Sequence, residues 1–332
     1  MAESEFGSQR RVELINKIAA GAGGEIDQPL WPFLWLADIP QLEEISKQPD
    51  LITYLAGLAK RLEDSQLLAR CKLVHADVCA QLLTFLVSYC LYRDPENLRT
   101  YTLPDGLSCA SDVKAFRDGS TGRSAWLTNL KRNGCVVTGA DDPVEAAHIF
   151  PFSMRRLQAP DIVNDTYNPW SVFTVDAWYN AITGPVATET VQNLMCLAPS
   201  VHKYHERAYF ALEPVEEDTQ SHTLTVRFHW LPHMANLHRL KVDTRPSFAR
   251  GIGCGRRIRL WEVVSGDEII SGTLINITGY DRIPLPDPAL LQLQWMLQRI
   301  VALAGGAEVF QKSNDDGDDD DYSDYSEVYE DR

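Results

Sequence analysis

The sequence predicts an α+β protein in three stretches: an α-helical region over residues 1–105, a mixed domain of short strands and helices over 106–312, and an acidic tail over 313–332. Three observations carry that expectation. Apolar residues in the first stretch recur at three- and four-residue intervals, which places them on one face of a helix. In the second, short β-forming runs alternate with helical patterns and are punctuated by Gly, Pro and Asp. From Ser313 onward the chain is too charged and too poor in aliphatic residues to bury a core, so a disordered tail is expected.

Residues 8–20 have helical spacing, ended by Gly21, Gly23 and Gly24. Trp31, Phe33, Leu34, Trp35 and Leu36 lie among Pro29, Pro32 and Pro40, which predicts a packed loop rather than one regular helix. From Gln41 to Arg93 the pattern is helical with a break near Pro49; Leu51, Tyr54, Leu55, Leu58 and Leu62 share one face. The segment from Leu67 to Leu86 is apolar over a wider surface, as in a helix buried within a bundle. Asp94, Pro95, Pro104, Asp105 and Gly106 then mark a boundary near residue 105. Beyond it, β-like runs fall at Cys135–Thr138, Glu145–Ile149, Thr223–Leu231, Ile258–Val263 and Ile269–Ile275. Helical spacing follows Pro199, and a closing helix is expected over Pro286–Leu303, with Pro288 in its first turn and Gly305 and Gly306 past its end.

The net charge of −15 is concentrated at one end, since the last twenty residues hold ten acids and one base. The remaining body has 36 acids and 30 Lys and Arg, so a nucleic-acid site would have to be a local patch. Seven scattered cysteines without a C-x-x-C pair argue against a disulfide framework or a four-cysteine zinc knuckle, and for buried thiols in a reducing compartment. The polar Met1–Arg11 segment and the lack of a 20-residue apolar span predict an intracellular protein of nucleus or cytoplasm, with no membrane partner.

The chemistry concentrates between Arg132 and Pro214. In order come Cys135-Val-Val-Thr-Gly139, then Glu145-Ala-Ala-His148-Ile-Phe-Pro151, then Asn193-Leu-Met-Cys-Leu-Ala-Pro-Ser-Val-His202-Lys-Tyr-His205-Glu206. On a helix after Pro199, His202 and Glu206 are four residues apart and project from one face, a spacing that lets two ligands share a cation. His205 is the competing second ligand, and His148 would approach from a separate strand.

In these motifs, in the lead-in Leu130-Lys-Arg-Asn-Gly-Cys135, in Tyr209-Phe-Ala-Leu-Glu-Pro214 and in the closing Leu291-Gln-Leu-Gln-Trp295, the sequence resembles the HNH nucleases, most strongly fungal HNH-domain proteins. The resemblance implies a ββα-metal core of two strands, a helix and one divalent ion (Mg, Mn, Ni or Zn). It also implies roles. His148 matches the general base that takes a proton from the attacking water, and Asn193 matches the asparagine that shapes the ββ loop. His202 matches the metal-binding histidine, and Glu206 falls where some members carry a further ligand. Many members have Asp or His immediately before the base; here that residue is Ala147, and Glu145, Glu206 or His205 would have to substitute. Arg155, Arg156, Lys203 and Arg207 would make the phosphate-binding patch.

The function expected is therefore a metal-dependent endonuclease hydrolysing phosphodiester bonds of DNA or RNA, with the N-terminal helical region as an accessory or protein-partner module. The alternatives are a non-catalytic HNH-fold scaffold, or an HNH fold repurposed for a small-molecule reaction in fungal secondary metabolism. A second histidine group, His229, His233 and His238, reads as a strand end and loop, because Pro232 interrupts any helix there.

Overall fold

A computed structural model describes residues 6–21, 24–27, 31–47, 134–150, 177–178, 181, 191–232, 234, 239–246, 257–279 and 284–304. The helical pattern after residue 47, the boundary near 105, Arg155, Arg156, His233, His238 and the acidic tail lie outside the described residues.

Helix α1 spans Gln9–Gly21 and buries Leu14, Ile15 and Ile18. After strand β1 (Glu25–Asp27), the aromatic stretch is a six-residue helix, α2 (Trp31–Leu36), and not the loop expected from its prolines. The reason is where those prolines fall. Pro32 sits in the first turn of α2, and Pro40 at the start of α3 (Ile39–Ile45), positions where a missing N–H costs no helical bond. The carbonyls at the end of α2 are satisfied by Arg11 of α1. This buried side chain donates from Nη1 to the oxygens of Trp35 at 2.9 Å and Ala37 at 2.6 Å.

This N-terminal segment is tied to residues far along the chain. β1 pairs antiparallel with β6 (Arg239–Lys241), Glu25 opposite Lys241. The indole of Trp35 donates to the Val242 oxygen at 2.9 Å, and that of Trp31 to the Thr244 oxygen at 3.0 Å. The helical region expected over 1–105 thus contains a strand.

Two further sheets frame the site. β2 (Glu145–His148) pairs with β3 (Leu194–Leu197), and α4 (Pro199–Glu206) follows at once. The larger sheet has the order β4–β5–β7, with β4 at Phe210–Asp218, β5 at Thr223–Trp230 and β7 at Leu274–Thr278. Leu224, Val226, Phe228 and Trp230 alternate along β5 and are buried, which sets its register. Over β4 packs the closing helix α5 (Pro288–Leu303), two residues shorter at its start than expected but with Pro288 in its first turn; the Asp287 carboxylate caps it, accepting from the amides of Ala289 at 2.8 Å and Leu290 at 3.4 Å.

Three expected strands differ. Cys135–Thr138 is a turn, closed by Gly139 N–H donating to the Cys135 oxygen at 2.8 Å, with Gly134 and Gly139 at positive φ. Ile258–Val263 forms only a single bridge, Trp261 to Glu268, because the Glu262 carboxylate turns the chain by accepting from the amides of Val264 and Ser265. The last run starts its strand at Leu274, after Gly272 at positive φ. No helix among the described residues is long and apolar enough to cross a membrane.

Candidate functional site

Side chains alternate along a strand, so Glu145 and Ala147 share one face of β2 while Ala146 and His148 share the other. Ala147 is buried, and Glu145 stands at the exposed end of the same face. His148 ends the strand, exposed, opposite Leu194 of β3.

The chain immediately after His148 is held by one residue. Asn193, fully buried in the 3-10 turn Val191–Asn193, accepts the Phe150 amide on Oδ1 at 2.8 Å and donates from Nδ2 to the Phe150 oxygen at 2.9 Å. Its own backbone oxygen accepts the Ile149 amide at 2.8 Å. Three bonds from one asparagine thus pin the two residues that follow His148.

Helix α4 starts at Pro199 directly after β3, which leaves no room for the helix to drift from the strand pair. It brings His202 to Glu145: Nδ1 lies 2.6 Å from Glu145 Oε2. At that distance the contact is a charge-assisted hydrogen bond in which Nδ1–H donates to the carboxylate. In a neutral ring the Nε2 lone pair is then left for another partner. Glu206, one turn on, has Oε1 3.4 Å from Nε2, and its Oε2 accepts from Lys203 at 2.8 Å. The two carboxylates therefore meet opposite nitrogens of one imidazole.

His205 is not brought to this cluster. Its buried ring lies against Phe210, with centroids 5.7 Å apart, and its Nε2 is 3.4 Å from Nε2 of Gln294 on α5. Lys203 is exposed and paired with Glu206, and Arg207 is half-buried at the C-terminal end of α4. Among the described residues, no group of three or more His, Cys, Asp and Glu side chains is arranged to hold a metal ion.

Residues 135–213 match the family model described as HNH endonuclease. The chain carries an HNH endonuclease domain. No curated protein and no solved structure matches the chain. The HNH domain opens at the Cys135 turn, contains His148, Asn193, His202 and Glu206, and closes on β4 at Glu213. It points to a nuclease-type function on nucleic acid, and HNH nucleases generally use a divalent metal ion. The strands β5 and β7, helix α5 and the N-terminal segment fall outside it.

Two sets of polar contacts were not legible in the sequence, where His229 reads only as part of a strand end and loop. Glu213 Oε2 accepts from Arg227 Nη1 at 2.8 Å and meets His229 Nε2 at 2.9 Å, and the His229 ring lies 4.7 Å from that of Trp295. On α5, Gln298 is fully buried and donates from Nε2 to the His205 oxygen at 2.8 Å. A polar residue at an otherwise apolar position of an amphipathic helix is the signal that flags Gln294 and Gln298, but not their partners.

Proposed function

We propose that the HNH domain is a metal-dependent endonuclease in which His148 is the general base. His202 and Glu206 would hold a divalent ion, and Asn193 is the loop clamp. The observation that carries this reading is the pair of contacts on His202. Two donors about 2.1 Å from one cation stand roughly 3.0 Å apart in octahedral and roughly 3.4 Å apart in tetrahedral geometry. The separation of His202 Nε2 from Glu206 Oε1 is 3.4 Å, whereas the 2.6 Å contact with Glu145 is too short for two ligands of one ion. Glu145 is then the partner that sets the tautomer and orientation of His202, a role that carboxylates commonly play behind metal-bound histidines. It does not replace the metal ligand missing at Ala147, a place that Glu206 would take.

A divalent ion held by His202 and Glu206 would supply Lewis-acid stabilisation of the oxygen that leaves phosphorus. The chain's own residues do the rest. Neutral His148 removes a proton from water as the water oxygen bonds to phosphorus, and the bond from phosphorus to the leaving sugar oxygen breaks. Asn193 keeps the strand end that presents His148 in one place. Lys203, Arg207, Arg155 and Arg156 would neutralise the flanking phosphates.

The test is cleavage of plasmid DNA and of RNA with Mg²⁺, Mn²⁺, Ni²⁺ or Zn²⁺, beside His148→Ala and His202→Ala. Cleavage lost in both variants, with metal binding kept in His148→Ala and weakened in His202→Ala, supports the assignment. A second reading, a non-catalytic HNH module, is favoured by Ala147, a buried alanine where many HNH nucleases carry a metal-ligating Asp or His. It predicts no cleavage with any metal and no metal bound at equilibrium.

A further inference from the structure

Helix α5 lies wholly outside residues 135–213, yet it bonds to both halves of the site. At its start, the Asp287 amide donates to the Gln192 oxygen at 3.0 Å, in the turn that carries Asn193. Three turns later, Gln298 Nε2 donates to the His205 oxygen at 2.8 Å, on the helix that carries His202 and Glu206. Between them, Gln294 reaches the His205 ring. Eleven residues of α-helix make a rod of roughly 16 Å. Its anchor points are therefore separated by a fixed distance, and its apolar side (Leu290, Leu293, Leu297, Ile300) is buried in the core.

We infer that α5 is a strut that sets the spacing between the Asn193 turn and helix α4, with Gln298 and Gln294 as positioning residues for the site. The inference rests on the proposed metal role of His202 and Glu206. The donor chemistry explains why glutamine stands at these places. The His205 oxygen is near the end of α4, where helical carbonyls run short of partners, although the Ala208 amide reaches it at 3.1 Å. A glutamine donates to it without bringing a charge into the core. The same bond fixes the last turn of α4, in which the His205 ring is buried while His202 and Glu206 stay partly exposed. An aliphatic residue at position 298 would fill the space but leave α4 located by packing alone.

Gln298→Met removes the donor at nearly constant volume. Amide hydrogen exchange of the metal-free full chain is the first readout: α4 amides are expected to exchange about tenfold faster or more, while β5 amides keep their protection. Equilibrium binding of Mn²⁺ is the second, and its Kd is expected to rise about 10–100-fold, as on loss of other groups that orient ligands. The control is Ile300→Val, a core truncation on the same helix, which lowers stability and leaves the α4 pattern and Mn²⁺ binding unchanged. Should Gln298→Met fail to fold, Gln294→Met leaves the bond to the His205 oxygen in place and is expected to give the same pattern, reduced in size. Unchanged α4 exchange, or a uniform rise over α4 and β5 alike, would overturn the strut. If the wild-type chain binds no Mn²⁺, the metal reading fails, and the exchange pattern still decides whether α5 positions α4.

Discussion

Asn193 is worth more to this site than a single hydrogen bond, because it satisfies both backbone groups of a fully buried residue, Phe150. Asn193→Ala leaves an N–H and a C=O unpaired in the core, and such groups cost about 1–3 kcal/mol each. The variant is therefore expected to lose about 2 kcal/mol or more in urea denaturation, and cleavage at least tenfold. Glu145→Gln keeps an acceptor for His202 but removes the charge, so weaker metal binding with a well-folded chain is the expected result, measured by Mn²⁺ titration. Glu213 supplies a pH signature. Burial pushes its carboxyl up, but the hydrogen bond and charge of His229, with Arg227, outweigh burial and hold it below the ordinary glutamate value of 4.5. A carboxyl with a depressed folded pKa contributes stability that is present above its unfolded pKa and lost as pH falls through the folded one. Urea midpoints of the wild type should accordingly fall below about pH 4.5, whereas Glu213→Gln should start lower at neutral pH and decline less.

At the scale of the element, the helices other than α2 were legible and short strands less so. A helix makes its bonds within itself, so the periodicity and caps around α1, α4 and α5 suffice to place them. A strand exists only through its neighbour. Cys135–Thr138 and Ile258–Val263 have β-forming composition but make only isolated backbone bonds (Val136 N–H to the Cys196 oxygen and Val263 N–H to the Thr138 oxygen, both 2.9 Å) and the single Trp261–Glu268 bridge, too little for a ladder, and they turn instead. The Cys135 turn has its own requirement. Gly134 has φ +67°, and a Cβ there would stand 2.8 Å from the Ala140 oxygen, which already accepts the Cys135 amide at 2.7 Å. Gly134→Ala should thus cost at least about 1–2 kcal/mol from the left-handed backbone alone, before the clash. Thermal unfolding would register it as a lowered midpoint.

Across the whole molecule, the N-terminal segment and the residues near 240 form one structure through β1, β6 and the indoles of Trp31 and Trp35. Trp35→Phe removes one buried donor from the Val242 oxygen and is expected to destabilise by about 1–3 kcal/mol. Because that contact joins segments 207 residues apart, loss of tryptophan fluorescence and loss of helical circular dichroism should coincide in denaturant. The sequence by itself determined the order His148, Asn193, His202 and the helix that pairs His202 with Glu206, because those relations are local or set by strand and helix periods. Only the tertiary structure decided which imidazole nitrogen faces each carboxylate, that His205 turns inward, and that α5 braces the site. Those outcomes depend on contacts between residues 57 to 93 positions apart, and such contacts are selected by packing and by the need to pair buried polar groups, which no local pattern encodes.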